Sequence, residues 1–372
     1  FESLFVEDMM TALSAHRSIA SSRPSAADRA VAAWLWSVAG LVLAMIAVGG
    51  ATRLTESGLS ITEWKPLLGA IPPLSEADWQ EAFDKYRQIP QYQLVNKGMS
   101  LEDFKVIFWW EWAHRFLGRL IGLAFALPLV VFAVRGMLRQ GALGKYVGVL
   151  ALGGLQGAIG WYMVASGLVD RIDVSHYRLA LHLSVAFLIL GALVWLAMEL
   201  AQPQPVDRAV PASASVWAAA IAALVFLQTA LGAFVAGLNA GLVHNTWPLM
   251  SGAFVPEDLL DLTPWWVNFV ENPAAVQFNH RLMAYVVVAL GVWHAWTLHN
   301  RAPGSVAARS ALALGAGLVA QMALGVVTLL HAVPIPLGVA HQTLAAIVFG
   351  LAIRHLFLVR ANGPAAPAKA LA

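Results

Sequence analysis

Eight stretches of this chain are long enough and apolar enough to cross a bilayer, and nothing else in the sequence constrains its fold as much. A hydrocarbon core about 30 Å thick needs roughly 20 apolar residues per helix. Inside it, every backbone N–H and C=O must find a partner within its own segment, which leaves helices or closed barrels. The predicted spans are 31–52, 113–134, 145–166, 178–200, 215–237, 279–299, 307–330 and 336–358. Runs this long fit helices, not barrel strands. With 59% hydrophobic and 12% charged residues, the chain falls outside the range of soluble proteins. The expected fold class is an all-α polytopic membrane protein.

Orientation follows from the basic residues. Arg135, Arg139 and Lys145 follow the second span, Arg301 and Arg309 follow the sixth, and Arg354, Arg360 and Lys369 end the chain. Residues 238–279 contain no Lys or Arg. Positive charge marks the cytoplasmic side of short loops, so both termini are expected in the cytoplasm and the protein in a bacterial inner membrane. Loop 53–111 holds six Lys/Arg, but long loops cross largely regardless of charge. Tryptophans at 34 and 36, at 109, 110 and 112, at 265 and 266, and at 293 and 296 sit where interfacial belts are expected. Residues 1–30 read as a polar cytoplasmic tail without a cleavable signal, and residues 361–372 as a second tail. The chain has no cysteine, which excludes disulfides, iron–sulfur clusters and thiolate nucleophiles.

The two halves of the chain match. Met45-Ile-Ala-Val-Gly49 aligns with Gln228-Thr-Ala-Leu-Gly232, and Trp64 with Trp247. His114-Arg115 aligns with His280-Arg281, Gln156-x-x-x-Gly160 with Gln321-x-x-x-Gly325, and His182 with His341. Four spans per half is an even number, so the halves point the same way, as a parallel repeat. The expectation is two four-helix bundles, over 31–200 and 215–360, joined by a cytoplasmic linker at 201–214. The Gln-x-x-x-Gly pairs read as close helix contacts.

Each half then offers two histidines on different spans at the outer leaflet: His114 with His182, and His280 with His341. Ionisable groups inside spans are functional by default, and two imidazoles from facing helices can clamp a haem iron. The chain looks built to hold two tetrapyrroles. Arg115 and Arg281 stand beside axial candidates and can pair with haem propionates. Arg178, one turn before His182, can do the same or act as a topological arginine. Glu111 lies three residues before His114, on the same helix face, and Gln277 holds its place in the second half. A carboxylate transfers protons and an amide does not, so the asymmetry nominates the N-terminal half for chemistry. The competing reading of Glu111 is a first-turn acid that complements the helix dipole.

A second pattern pairs His280 with His294 and His341 with His355, each 14 residues apart. That is roughly 21 Å along a helix and could hold two stacked haems. The N-terminal half has Pro128 and Leu196 at these places. His176, His244 and His331 read as outer-loop histidines.

Glu111-x-x-His-Arg115, after an outer loop opening Gly49-Gly-Ala-Thr-Arg-Leu-Thr-Glu-Ser-Gly-Leu-Ser-Ile-Thr-Glu-Trp64, resembles the haem A synthase family. So do Phe278-Asn-His-Arg281 and the eight-span repeat with four histidines. The resemblance runs from residue 31 to 358. It implies oxidation of a ring methyl of haem O to a formyl group, giving haem A for terminal oxidases. It also implies haem b on His280 and His341, substrate haem facing His114 and His182, and Glu111 as the key acid. Some bacterial members carry an outer-loop cysteine pair. With none, this chain is more similar to the proteobacterial and mitochondrial type. Implied partners are haem O, an electron-transfer partner, haem O synthase or the oxidase assembly machinery, and a second copy of the chain; nucleic acid is not among them. The residues alone leave open a non-enzymatic alternative, a di-haem b carrier exchanging electrons with quinone.

Overall fold

A computed structural model describes residues 24–65, 68–169, 171–201 and 210–360. The expected tails lie mostly or wholly outside these residues, as does most of the expected linker. Eight helices among the described residues are long and apolar enough to span a membrane. They are α1 Ala26–Leu54, α2 Leu101–Val134, α3 Leu143–Ala165, α4 His176–Glu199, α5 Ala214–Gly237, α6 Pro273–Arg301, α7 Val306–Leu330 and α8 Ile335–Arg360.

Most ends fall within a few residues of the predicted spans, but α2 starts twelve residues early. Ser100 caps it, its hydroxyl accepting from the Asp103 N–H at 3.1 Å, and Glu102 and Asp103 fill the first turn. Side-chain caps and acids at a helix N-terminus stabilise it. A hydropathy reading passes over such a polar start. Glu111 therefore lies in the body of α2, three turns in, which removes the first-turn reading of this acid.

The polar start of α2 is covered by the segment that connects it to α1. Short helices Glu76–Tyr86 and Pro90–Leu94 pack Phe83, Tyr86 and Tyr92 against Phe104 and Phe108 of α2, with Leu59 in the same cluster. Tyr86 donates to Gln91 Oε1 at 2.9 Å and accepts from Asn96 at 2.7 Å, so the buried phenol is satisfied.

In the first half α1 packs on α2 and α4, and α3 on α4; in the second α5, α6, α7 and α8 pack in a ring. Helices α1, α4, α5 and α8 also pack on one another across the halves. One apolar core accordingly runs through both, from Val31, Leu35 and Leu193 to Ile221, Leu314 and Phe349. Polar clamps add to this seam. Gln342 of α8 donates to the Ile46 carbonyl of α1 at 2.7 Å, and Arg53 donates to Ala236 O at 2.8 Å and Asn239 Oδ1 at 3.0 Å.

Candidate functional site

Each of the four histidines sits on an even-numbered helix and leans against a glycine of the helix before it. A Cβ added to Gly49 would meet His114 at 3.2 Å, one on Gly160 would meet His182 at 3.0 Å, one on Gly232 would meet His280 at 3.1 Å, and one on Gly325 would meet His341 at 2.8 Å. Only glycine leaves room for the edge of an imidazole this close to a neighbouring helix. All four contacts occur at the end of the bundle where odd helices finish and even helices begin, so the four rings share one level.

In three of the four cradles a glutamine stands one turn before the glycine. Gln156, Gln228 and Gln321 each donate to the backbone carbonyl of their histidine at 3.0 Å. Their amide nitrogens also lie 3.2–3.4 Å from a ring nitrogen. The Gln-x-x-x-Gly units thus seat imidazoles, a role beyond the helix contacts expected of them. The fourth cradle, for His114, has Met45 in the glutamine's place, and the His114 imidazole makes no hydrogen bond among the described residues.

The donor set fits haem. Metal–imidazole bonds of about 2 Å plus roughly 1 Å from nitrogen to ring centre put two axial rings about 6 Å apart. The ring centres of His114 and His182 are 6.4 Å apart. All four imidazoles are half-buried, and Nδ1 of His182 and of His280 is buried without a partner.

Glu111 is buried one turn from His114, its side chain 3% exposed. Oε2 accepts from Ser60 Oγ and from the Ile61 N–H, both at 2.7 Å, and Oε1 accepts from Arg115 at 2.5 Å. Arg115 also donates to Ile61 O at 2.8 Å and Glu63 O at 3.0 Å. The pair therefore pins the loop segment 59–64 over the His114–His182 level. Glu63 extends the anchor: hydrogen bonds from Lys85 and then Lys65 hold its carboxyl below the usual glutamate range.

The second half is built differently at the same place. Gln277 and Arg281 both donate to the His244 carbonyl, at 3.3 and 2.7 Å. Nε and Nη1 of Arg281 and Oε1 of Gln277 are buried and unpartnered. Unpaired buried guanidinium N–H groups are costly unless a carboxylate meets them, and a haem propionate would supply one.

A family model described as cytochrome oxidase assembly protein matches residues 32–353. A heme A synthase of Parvibaculum lavamentivorans is 55% identical over 337 residues, covering 91% of this chain and 96% of that protein. Heme A synthases of Brucella anthropi and Rhodospirillum centenum are 50% and 52% identical, covering 93% and 94% of this chain and 97% and 94% of their own length. The chain belongs to the haem A synthase family.

Of the residues singled out for that family, the structure brings together Glu111, Arg115, His114 and His182 in one half, and His280, Gln277 and Arg281 in the other. His341 faces the glycine of α7 at the same level. Arg178 leans on α3, donating to Tyr162 O at 2.5 Å, with its guanidinium 3.6 Å over the Tyr162 ring. His176 lies 3.4 Å from Glu271, and His244 lies 3.4 Å from Asp258 and 2.8 Å from Ser251. His331 bonds the Val327 carbonyl at 2.8 Å. The His176 contact crosses from the first half to the second, whereas those of His244 and His331 stay within the second half. Sequence reasoning missed Ser60, which lies 51 residues from Glu111, and the seating role of the glutamines. The aligned Gln-x-x-x-Gly units were the available signal for the glutamines.

Proposed function

We propose that this multi-pass bacterial membrane protein is a haem A synthase, oxidising a ring methyl of haem O to the formyl group of haem A in its N-terminal half. The observation that carries the reading is the His114–His182 pair, its rings 6.4 Å apart, with a buried carboxylate one turn away on the same helix. His114 and His182 hold the substrate iron. Arg178 and Arg115 stand at its polar edge. His280 and His341 hold haem b, with Arg281 on a propionate.

Two successive hydroxylations of the methyl give a geminal diol, which loses water to form the aldehyde. When bound between His280 and His341, haem b would supply a one-electron route for the electrons that the methyl oxidation releases. Glu111 accepts a proton released from the methyl or stabilises positive charge developing there. Arg115 and Ser60 position its two oxygens, and segment 59–64 excludes water from above. Met45 in place of glutamine leaves His114 the least constrained of the four imidazoles, which suits a site that must admit substrate and release product. The farnesyl tail of haem O requires a pocket open to lipid. The lipid-facing residues Leu120, Leu123 and Leu127 on α2 meet that need. Both termini lie in the cytoplasm, which puts the four histidines at the outer leaflet.

The test is the pigment of the purified protein. Haem O and haem A extracted alongside haem b support the synthase. Haem b alone, at two per chain, would establish the electron carrier instead.

A further inference from the structure

The two halves differ where the second helix of each half meets the third. In the second half the seam is closed. A Cβ added to Gly291 of α6 would collide with Leu318 of α7, and one added to Gly315 of α7 would lie 3.3 Å from the Ala295 Cβ of α6. Small residues let the two backbones approach, and Leu318 fills the remaining space. In the first half α3 touches α2 along much less of its length than α7 touches α6. Of the most apolar stretch, 11% is buried in α2 and in α3, against 28% in α6 and 22% in α7.

Residue size accounts for the difference. The alignments that pair His114 with His280 and Gln156 with Gln321 place Phe125, Leu129 and Leu150 where the second half has Gly291, Ala295 and Gly315. These large side chains hold α2 and α3 apart. Phe125 and Tyr146 both rest on Trp34 of α1, with ring centres 4.7 and 5.9 Å away, and close the gap at the end away from the histidines. Between that floor and the histidines the bulk is missing. Gly153 and Gly157 of α3 stand where α7 has Leu318 and Met322, and Gly122 of α2 stands where α6 has Val288. A Cβ added to any of these three glycines would meet no described atom within 4 Å.

The glycines line a slot that starts at the imidazole level. At 1.5 Å per residue, Gly157 and Gly153 lie about 5 and 10 Å below Gly160, Gly122 about 12 Å below His114, and the floor at Phe125 about 16 Å below it. Gly153 and Gly157 share the face of α3 that carries Tyr146, which turns them inward. At the head of the slot stand the His114–His182 pair and two buried polar atoms without partners, Nδ1 of His182 and Oε1 of Gln156.

We infer that this slot seats the farnesyl tail of haem O and so decides which half takes which haem. The inference rests on the reading of His114 and His182 as the substrate site. Haem O differs from haem b by its farnesyl tail, which leaves the ring edge away from the propionates. With the propionates at the polar end near Arg115, the tail points down the slot and packs on the bare backbones of α2 and α3. In the second half Leu318 and Met322 stand in that place, so a tailless haem fits beside His280 and His341 and a tailed one does not.

The test uses the full chain, purified in detergent from cells that make no haem O. It is titrated with haem O and with haem B, and the Soret change is read against His114→Ala as the blank. Gly153→Leu combined with Gly157→Met copies α7 into α3. It raises the haem O Kd about tenfold or more, as expected of an overpacked site, and leaves the haem B Kd unchanged. Gly154→Val copies Val319, which is 44% exposed on the lipid side of α7, and changes neither Kd. A retained haem b spectrum shows that each variant is folded. If the double variant does not fold, Gly122→Val on the opposite wall decides by the same two titrations. Unchanged haem O binding in the slot-filling variant overturns the proposal, as does an equal loss for haem B or for Gly154→Val. Those results would leave the substrate reading of the two histidines standing. If neither haem binds the wild type saturably above the blank, both fail.

Discussion

Replacing Glu111 with Gln separates chemistry from anchoring at the buried pair. The carboxylate accepts from Ser60, Ile61 and Arg115. A glutamine keeps one oxygen for Ser60 and Ile61 but turns an NH2 group toward the guanidinium, donor against donor. A hydrogen bond to a charged group contributes about 1.5–3 kcal/mol. Arg115 retains the Ile61 and Glu63 carbonyls, and its side chain is 14% exposed, which puts the loss near the low end, roughly 1.5–2 kcal/mol. That loosens segment 59–64 without unfolding the bundle. Loss of a group that moves a proton is larger, about 10²- to 10⁴-fold in rate, or roughly 2.7–5.5 kcal/mol of barrier. The assay is haem A per haem b, extracted from cells lacking any other synthase. Glu111→Gln should retain haem b while haem A falls at least about a hundredfold, and a hydroxylated haem accumulates if only the later step needs the acid. Arg115→Gln breaks the same ion pair but leaves the carboxylate, and should lose less activity. Wild-type haem A from Glu111→Gln, or equal small losses in the two variants, would refute proton transfer by Glu111 and leave it as a loop anchor.

The other expectations concern ligands, cradles and orientation. His280→Ala and His341→Ala should each abolish the low-spin haem b spectrum, while His114→Ala and His182→Ala preserve it; an intact spectrum in both of the first pair would refute the assignment. Gly325→Ala puts a methyl 2.8 Å from His341 Cε1 and should shift the haem b spectrum and lower stability by about 1–3 kcal/mol. A spectrum and melting temperature identical to wild type would show that this glycine does not seat the ring. A C-terminal reporter that works only in the cytoplasm should be active; activity from a periplasm-requiring reporter alone would reverse the topology.

Eight apolar runs admit one secondary structure in a bilayer, so the sequence alone determined the number, order and approximate ends of the spans. The aligned His114/His280 and His182/His341 positions put four imidazoles at matching depths, because span length ties sequence position to depth. The Glu111/Gln277 difference was equally plain, since it is a change of residue type at one aligned place. Other features needed side chains brought together from distant segments. The early start of α2 rests on a Ser100 cap in a polar stretch. The bond between Glu111 and Ser60 rests on how the loop between α1 and α2 folds back over α2. His294 and His355 have the spacing of stacked haem ligands, yet their rings reach each other across the inside of the α5–α8 ring, Nε2 to Nε2 at 2.9 Å. One of the core clusters spans both halves because α1, α4, α5 and α8 turn apolar faces toward each other. Hydropathy and spacing are properties of each segment along the chain. Which side chain meets which depends on helix rotation, tilt and approach, and those are settled by packing among all eight helices at once.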